Sequence, residues 1–191
     1  MEGCMRIFIA ITLSREAREE LRALQSSLKA SGADVRWVDP ENIHLTLRFL
    51  GDCGERTVPL VESALSGAVS DFRQFHLGLE GIGAFPGLSS PKVIWAGVGE
   101  GARESGALCD SISSRLAEAG IPGEERKFLP HITVGRVRSG KNIDSLRKAI
   151  EGTVFSVSSR TLVDRVVLFS SKLSPEGPIY TPLSEAMLRR P

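Results

Sequence analysis

The chain has 191 residues, 41% hydrophobic and 25% charged. That is the balance of an ordinary globular protein and excludes a disordered or fibrous one. The 24 Lys and Arg against 23 Asp and Glu leave a net charge of +1, so no global basic field holds the chain on nucleic acid and any grip on phosphate has to be local. No apolar run approaches the roughly 20 residues of a membrane span, so no membrane partner is expected. The three cysteines, Cys4, Cys53 and Cys109, form no CxxC pair, which argues against a disulfide framework and a thiolate zinc site. The short apolar stretch at the start reads as a strand rather than a signal peptide, so a reducing cytoplasm is the expected location.

In chain order, Met5–Leu13 predicts a buried strand. Ser14 is placed to cap a helix that carries Ala17, Leu21, Leu24 and Leu28 at helical spacing and stops by Gly32. Val35–Val38 is short and extended, and Asp39-Pro40 turns the chain. Ile43–Leu50 alternates strictly, with His44, Thr46 and Arg48 on one face and Ile43, Leu45, Leu47 and Phe49 on the other. A helix follows over about Glu55–Ser70, then a strand at Phe75–Leu79. The glycines and prolines from Gly81 to Pro91 predict a long loop before a strand at Val93–Val98. Ser105–Ala119 is helical, Phe128–Val137 is a strand and Asn142–Ile150 is a helix. Strands are expected at Thr153–Val157, Leu162–Ser170 and Ile179–Leu188. The strict alternation of a doubly wound parallel sheet is absent, so the fold class is α+β with mainly antiparallel sheets.

Two of the three histidines sit in the same tetrapeptide, His44-Leu45-Thr46-Leu47 and His131-Ile132-Thr133-Val134. With threonine as scarce as it is here, two such matches arise by chance about once in 10,000. A histidine on a half-buried strand is more often a satisfied polar residue than a catalyst, and a strand threonine is ordinary. The duplication outweighs that reading. His76, followed at the second position by Gly78, lacks the pattern and reads as structural. On a strand, residues i and i+2 share a face about 6.5–7 Å apart, so each motif presents one imidazole and one hydroxyl while its apolar residues enter the core. Two imidazoles divide acid and base duties near neutral pH. Two hydroxyls donate to the non-bridging oxygens of a phosphate. This is equipment for cleaving a phosphodiester whose leaving group needs a proton, with no metal or other cofactor.

Through RIFIAITL, RWVDPENIHLTLRFLGD, VIWAGV, FLPHITVGR and the SSKLSPEGPIYTPL ending, the chain resembles the 2H phosphoesterases, and within them the RNA 2′,3′-cyclic phosphodiesterases, also called 2′-5′ RNA ligase-like proteins. Both HxTx motifs match, at His44/Thr46 and His131/Thr133, 87 residues apart. The resemblance implies one domain over 1–191 of two intertwined, pseudo-symmetric lobes. Each lobe would have a mainly antiparallel sheet with helices outside and one motif, and the active site would lie in the cleft between them. It implies hydrolysis of a terminal 2′,3′-cyclic phosphate to a 2′-phosphate, with His44 as proton donor, His131 as proton acceptor, and Thr46 and Thr133 on the phosphate oxygens. The partner is then RNA or a nucleotide with a cyclic-phosphate end, handled by a monomer.

Arg48, expected on the His44 face, is a candidate substrate contact. Arg136 matches an arginine that follows the second motif in relatives, but alternation points it away unless a bulge intervenes. Gly135 falls on the motif face and could admit substrate to the backbone. Phe128 and Tyr180 lead Phe8 and Trp37 as surfaces for a base, and Lys172 is a further cation. The alternatives are ligation forming a 2′-5′ bond by the reverse chemistry, an RNA-end binding module, and a two-histidine metallohydrolase. No adenylated-lysine motif supports an ATP-dependent ligase, a pure binder has no need of both histidines, and no HxH, HxD or HExxH accompanies the motifs.

Overall fold

The computed structural model describes residues 4–124, 127–156, 158–175 and 177–190. The elements run β1 (Cys4–Thr12), α1 (Arg15–Lys29), β2 (Val35–Trp37), a 3-10 turn (Pro40–Asn42), β3 (His44–Gly54), α2 (Thr57–Val69), β4 (Phe75–Leu77), β5 (Leu79–Phe85), β6 (Val93–Val98), α3 (Ala102–Glu118), β7 (His131–Val137), α4 (Ile143–Glu151), β8 (Thr161–Val163), β9 (Arg165–Leu173) and β10 (Pro178–Met187). The class is α+β. Helix α1 begins as expected, with the Ser14 hydroxyl accepting the Ala17 N–H at 3.2 Å, and it buries Ala17, Leu21, Leu24 and Leu28. Those side chains join Ile7, Ile9, Leu45, Leu47, Ile132, Val134, Leu108 and Ile112 in one buried core. No helix among the described residues is long and apolar enough to cross a membrane.

The main sheet has the order β10-β9-β1-β3-β7-β6-β5, β2 also pairs with β7, and β4 and β8 form a small second sheet. Every pairing between these strands is antiparallel. The main sheet narrows to a single residue pair, Leu45 opposite Ile132, where β3 meets β7. Farther along, the same edge of β7 pairs with β2 through Val35, Arg36 and Trp37. The sheet therefore splits beside β7, and a cleft opens at the split.

Several expectations need correction. The predicted loop from Gly81 contains strand β5. Gly83 is there because the Trp95 ring lies where a Cβ would stand, and Gly81 has φ 77° at a register shift. Glycine in a strand marks a bulge or a close approach as readily as a loop. Thr153–Ser156 is no strand beyond one bridge from Ser156 to Glu80, and Val157 lies outside the described residues. Leu162–Ser170 is two strands, broken at Asp164, because β8 pairs with β4 while β9 pairs with β1 and β10. The second motif strand starts at His131, so Phe128 precedes it.

Neither motif strand alternates strictly. Opposite β1, the partner of Ile9 is Arg48 and that of Ala10 is Thr46, so Leu47 is an extra residue. Opposite β6, the partner of Ile94 is Gly135 and that of Trp95 is Thr133, so Val134 is extra in the same way. A bulge of this kind reverses the facing of the residues that follow it, as far as the next bulge, which in β3 comes at Leu50. Each bulge carbonyl is caught by a side chain of an underlying helix. Gln25 of α1 donates its amide to the Val134 carbonyl at 2.9 Å and to the Val38 carbonyl at 2.7 Å. The Cys109 thiol of α3 donates to the Leu47 carbonyl at 3.2 Å. Burial pushes that thiol up to about 11, so it remains a donor at neutral pH. Gln25 is 1% exposed, and Gln25→Leu takes the amide from the half-buried Val38 carbonyl, while the Val134 carbonyl keeps the Val38 N–H at 3.0 Å. Urea unfolding of Gln25→Leu should show a loss of about 1–3 kcal/mol, the cost of an unsatisfied polar group.

Candidate active site

The Leu45–Ile132 pair organises the site. Both side chains are fully buried, so the residues on either side of them face the cleft. In an antiparallel pair, one step outward sets His44 across from Thr133 and Thr46 across from His131. The two imidazoles are then diagonal neighbours, which in such ladders lie on the order of 7–8 Å apart. All four side chains line one open cleft of about 1050 Å³.

Both rings are held alike. His44 Nδ1 is 2.7 Å from the Asn42 carbonyl, and His131 Nδ1 is 2.7 Å from the Leu129 carbonyl. A carbonyl only accepts, so each Nδ1 carries a proton and donates it. Each Nε2 is left for the cleft, as an acceptor when the ring is neutral and a donor when it is charged. The Asn42 side chain also donates to the Pro178 carbonyl at 3.1 Å, tying the start of β10 to the His44 segment.

The surroundings of the two rings differ. His44 stacks on Phe8 at 4.9 Å between centroids and meets the Tyr180 ring edge-on at 5.4 Å. His131 meets only Phe85 among the described aromatic rings, at 5.0 Å and 84°. Burial lowers the His44 pKa from its ordinary value, opposed by its bond to the Asn42 carbonyl. Burial raises the Tyr180 phenol, opposed by the charge of Arg136.

The structure brings His44, Thr46, His131, Thr133, Arg136 and Tyr180 to one cleft, with Phe8 and Trp37. Arg136 reaches it because the Val134 bulge turns it there. Arg48 is turned the other way by the Leu47 bulge. It is 5% exposed, donates to the Pro122 carbonyl and pairs with Glu124 at 3.3 Å, so it ties β3 to the connection that leads into the second motif. Its expected cleft-facing position is thus overturned, and Phe49, expected in the core, takes that position at 52% exposed. Gly135 is likewise turned into the core, where a Cβ would stand 2.8 Å from Val35 and 3.1 Å from Trp37. It admits β2 rather than substrate. Phe128 packs against the core outside the cleft lining, and Lys172 is also absent from that lining. Arg36 and Lys29 line the cleft and went unread, because isolated cations at an edge strand and a helix end carry no pattern.

A family model described as LigT like phosphoesterase matches the chain twice, over residues 11–95 and 98–180. The chain is 35% identical over 178 residues to an RNA 2′,3′-cyclic phosphodiesterase of Methanothermobacter thermautotrophicus, covering 93% of this chain and 95% of that one. It is 37% identical to one of Thermotoga maritima, covering 95% and 94%. Among solved structures, a protein of Thermus thermophilus superposes with a TM-score of 0.82 at 28% identity, over 97% of this chain and 99% of that one. E. coli LigT superposes with a TM-score of 0.77 at 26% identity, over 98% and 99%.

The burial of His44 sets a measurable sign. Its imidazole should titrate by NMR below the ordinary value of about 6.5. Tyr180→Ala, which lets water reach the ring, should move it upward. Because the folded value is depressed, the contribution of His44 to stability is full above the unfolded value and is lost as pH falls through the folded one.

Proposed function

The chain belongs to the LigT-like phosphoesterase family, and from that premise we propose that it hydrolyses the terminal 2′,3′-cyclic phosphate of RNA to a 2′-phosphomonoester with His44 and His131 as a metal-free acid–base pair. The observation that carries this reading is the arrangement of two imidazoles and two threonines around the Leu45–Ile132 pair, with both Nδ1 atoms spent on carbonyls and both Nε2 atoms free for the cleft. Among the described residues, no three His, Cys, Asp or Glu gather in a group able to hold a metal ion.

The roles follow from what each atom can do. The phosphate sits between the diagonal imidazoles, and the Thr46 and Thr133 hydroxyls donate to its non-bridging oxygens. His131 Nε2 takes a proton from water as the water oxygen bonds to phosphorus. The bond from phosphorus to the ribose 3′-oxygen breaks, and His44 Nε2–H protonates that oxygen. The product keeps its phosphate on the 2′-oxygen. Burial alone disfavours the charged form of His44. The incoming phosphate is an anion, and its approach to Nε2 favours that form. The same premise reads the chain as one domain of two intertwined lobes. Support comes from the double match of the family model, one motif in each half, and from the narrowing of the sheet to one pair between the motif strands.

His44→Ala and His131→Ala should each lower kcat/KM on a cyclic-phosphate RNA by about 10²–10⁴-fold, the usual worth of general acid–base catalysis. His76→Ala should be nearly silent, and EDTA should leave the rate intact. Equal damage from all three substitutions, or loss in EDTA restored by a divalent ion, overturns the reading. The pH profile carries a sign as well. An acid must be protonated, so the high-pH limb of kcat/KM reports His44 in the free protein and should fall below its ordinary value. In kcat, with the phosphate bound, that limb should move to higher pH.

A further inference from the structure

The cleft is longer than one phosphate needs. At about 1050 Å³ it exceeds the roughly 300–1,000 Å³ of a typical small-ligand pocket. Past the quartet it follows β7 and β2 toward the end of α1, and there Arg136, Arg36 and Lys29 line it against one carboxylate, Asp39. Arg36 and Arg136 are register partners on β2 and β7, so their side chains leave the same face of the sheet. Like charges directly opposite on neighbouring strands repel. No ion pair joins either arginine or Lys29 to a carboxylate among the described residues, whereas Arg18, Arg22, Arg115, Arg147 and Arg165 all have one. In a chain of net charge +1, three cations without an ion pair at one end of a cleft amount to a local anion site.

The backbone itself sets this arrangement. Arg136 faces the cleft only through the Val134 bulge, and the bulge is held by the buried amide of Gln25. At about 3.3 Å per residue, less what the bulge takes up, Arg136 lies roughly 7–10 Å along the strand from Thr133. That is a nucleotide's reach from the reacting phosphate. Guanidinium groups grip phosphate oxygens by paired hydrogen bonds.

We propose that Arg36 and Arg136, with Lys29 at the rim, form a second phosphate subsite for the phosphodiester one nucleotide 5′ of the cyclic phosphate, so that the preferred substrate is an oligonucleotide end rather than a cyclic mononucleotide. This rests on the reading of the quartet as the hydrolytic site and adds the neighbouring nucleotide to it. The experiment compares kcat/KM on 2′,3′-cyclic AMP with that on a trinucleotide ending in a 2′,3′-cyclic phosphate. The wild-type protein should favour the trinucleotide. Arg36→Gln should erode that preference by about 10–100-fold, the worth of a charge-assisted hydrogen bond, and Lys29→Gln by less. The salt dependence of kcat/KM on the trinucleotide should flatten in Arg36→Gln by about 0.7 in log–log slope, one single-strand phosphate contact. Both variants lie at exposed positions, and thermal melts would check that they fold. Equal losses on both substrates, an unchanged salt slope, or no preference in the wild-type protein overturns the subsite and leaves the hydrolytic reading intact. Failure of the wild-type protein on both substrates overturns the hydrolytic reading itself.

Discussion

One inserted residue directly after the threonine of each motif decides what enters the cleft. Up to the bulge, the two-residue period puts His and Thr of each motif outward and their apolar neighbours inward. At Leu47 and Val134 the ladder takes up an extra residue, and from there the order is inverted. The first strand then sends Arg48 into the core and Phe49 to the cleft, while the second sends Gly135 inward and Arg136 outward. The two strands share a backbone device and use it to opposite chemical ends, an aromatic surface on one side and a cation on the other. Each bulge carbonyl takes a bond from a buried helix side chain, Gln25 on Val134, which also accepts the Val38 N–H, and Cys109 on Leu47.

This explains what was legible in the chain and what was not. The His44/Thr46 and His131/Thr133 pairs were legible because strand period and motif coincide before the bulge. Helix α1 was legible from its cap and its leucines. The positions past the bulge were misread at Arg48, Phe49 and Gly135, since a period-two argument holds only while the ladder is regular. Arg136 was placed correctly only on the condition of a bulge, and nothing in HITVGR itself announces one. The strand at Leu79–Phe85 was hidden because its glycines answer to the Trp95 ring rather than to a turn. Phe128 was assigned by nearness in sequence to His131, and the turn before β7 carries it elsewhere.

Arg48 gains a different meaning from its burial. Its guanidinium reaches from the first motif strand to Pro122 and Glu124, in the connection that enters the second motif. The two motifs are 87 residues apart in sequence and meet in the sheet at one residue pair. A single pair is a weak fastening for a site that needs four side chains in register. The Arg48 tie supplies a second one, from the core side. The Gln25 amide, shared between Val38 and Val134, fastens β7 to the segment leading into β3 from beneath.

The near identity of the motifs leaves the distinction between acid and base to their neighbours. Both imidazoles are tethered through Nδ1 to the carbonyl two residues back, with the same 2.7 Å distance, so tether chemistry does not separate them. What differs is enclosure. Phe8 and Tyr180 close around His44, and Phe85 touches His131 by its edge. Enclosure removes water from His44 and disfavours its charged form in the empty cleft. The same cleft holds Arg136, close enough to act on the Tyr180 phenol. A phosphate entering beside His44 is the anion that lets an enclosed imidazole keep a second proton. If His44 is the acid, as proposed, binding and protonation are linked: the ring holds its proton most readily when the group it acts on is in place.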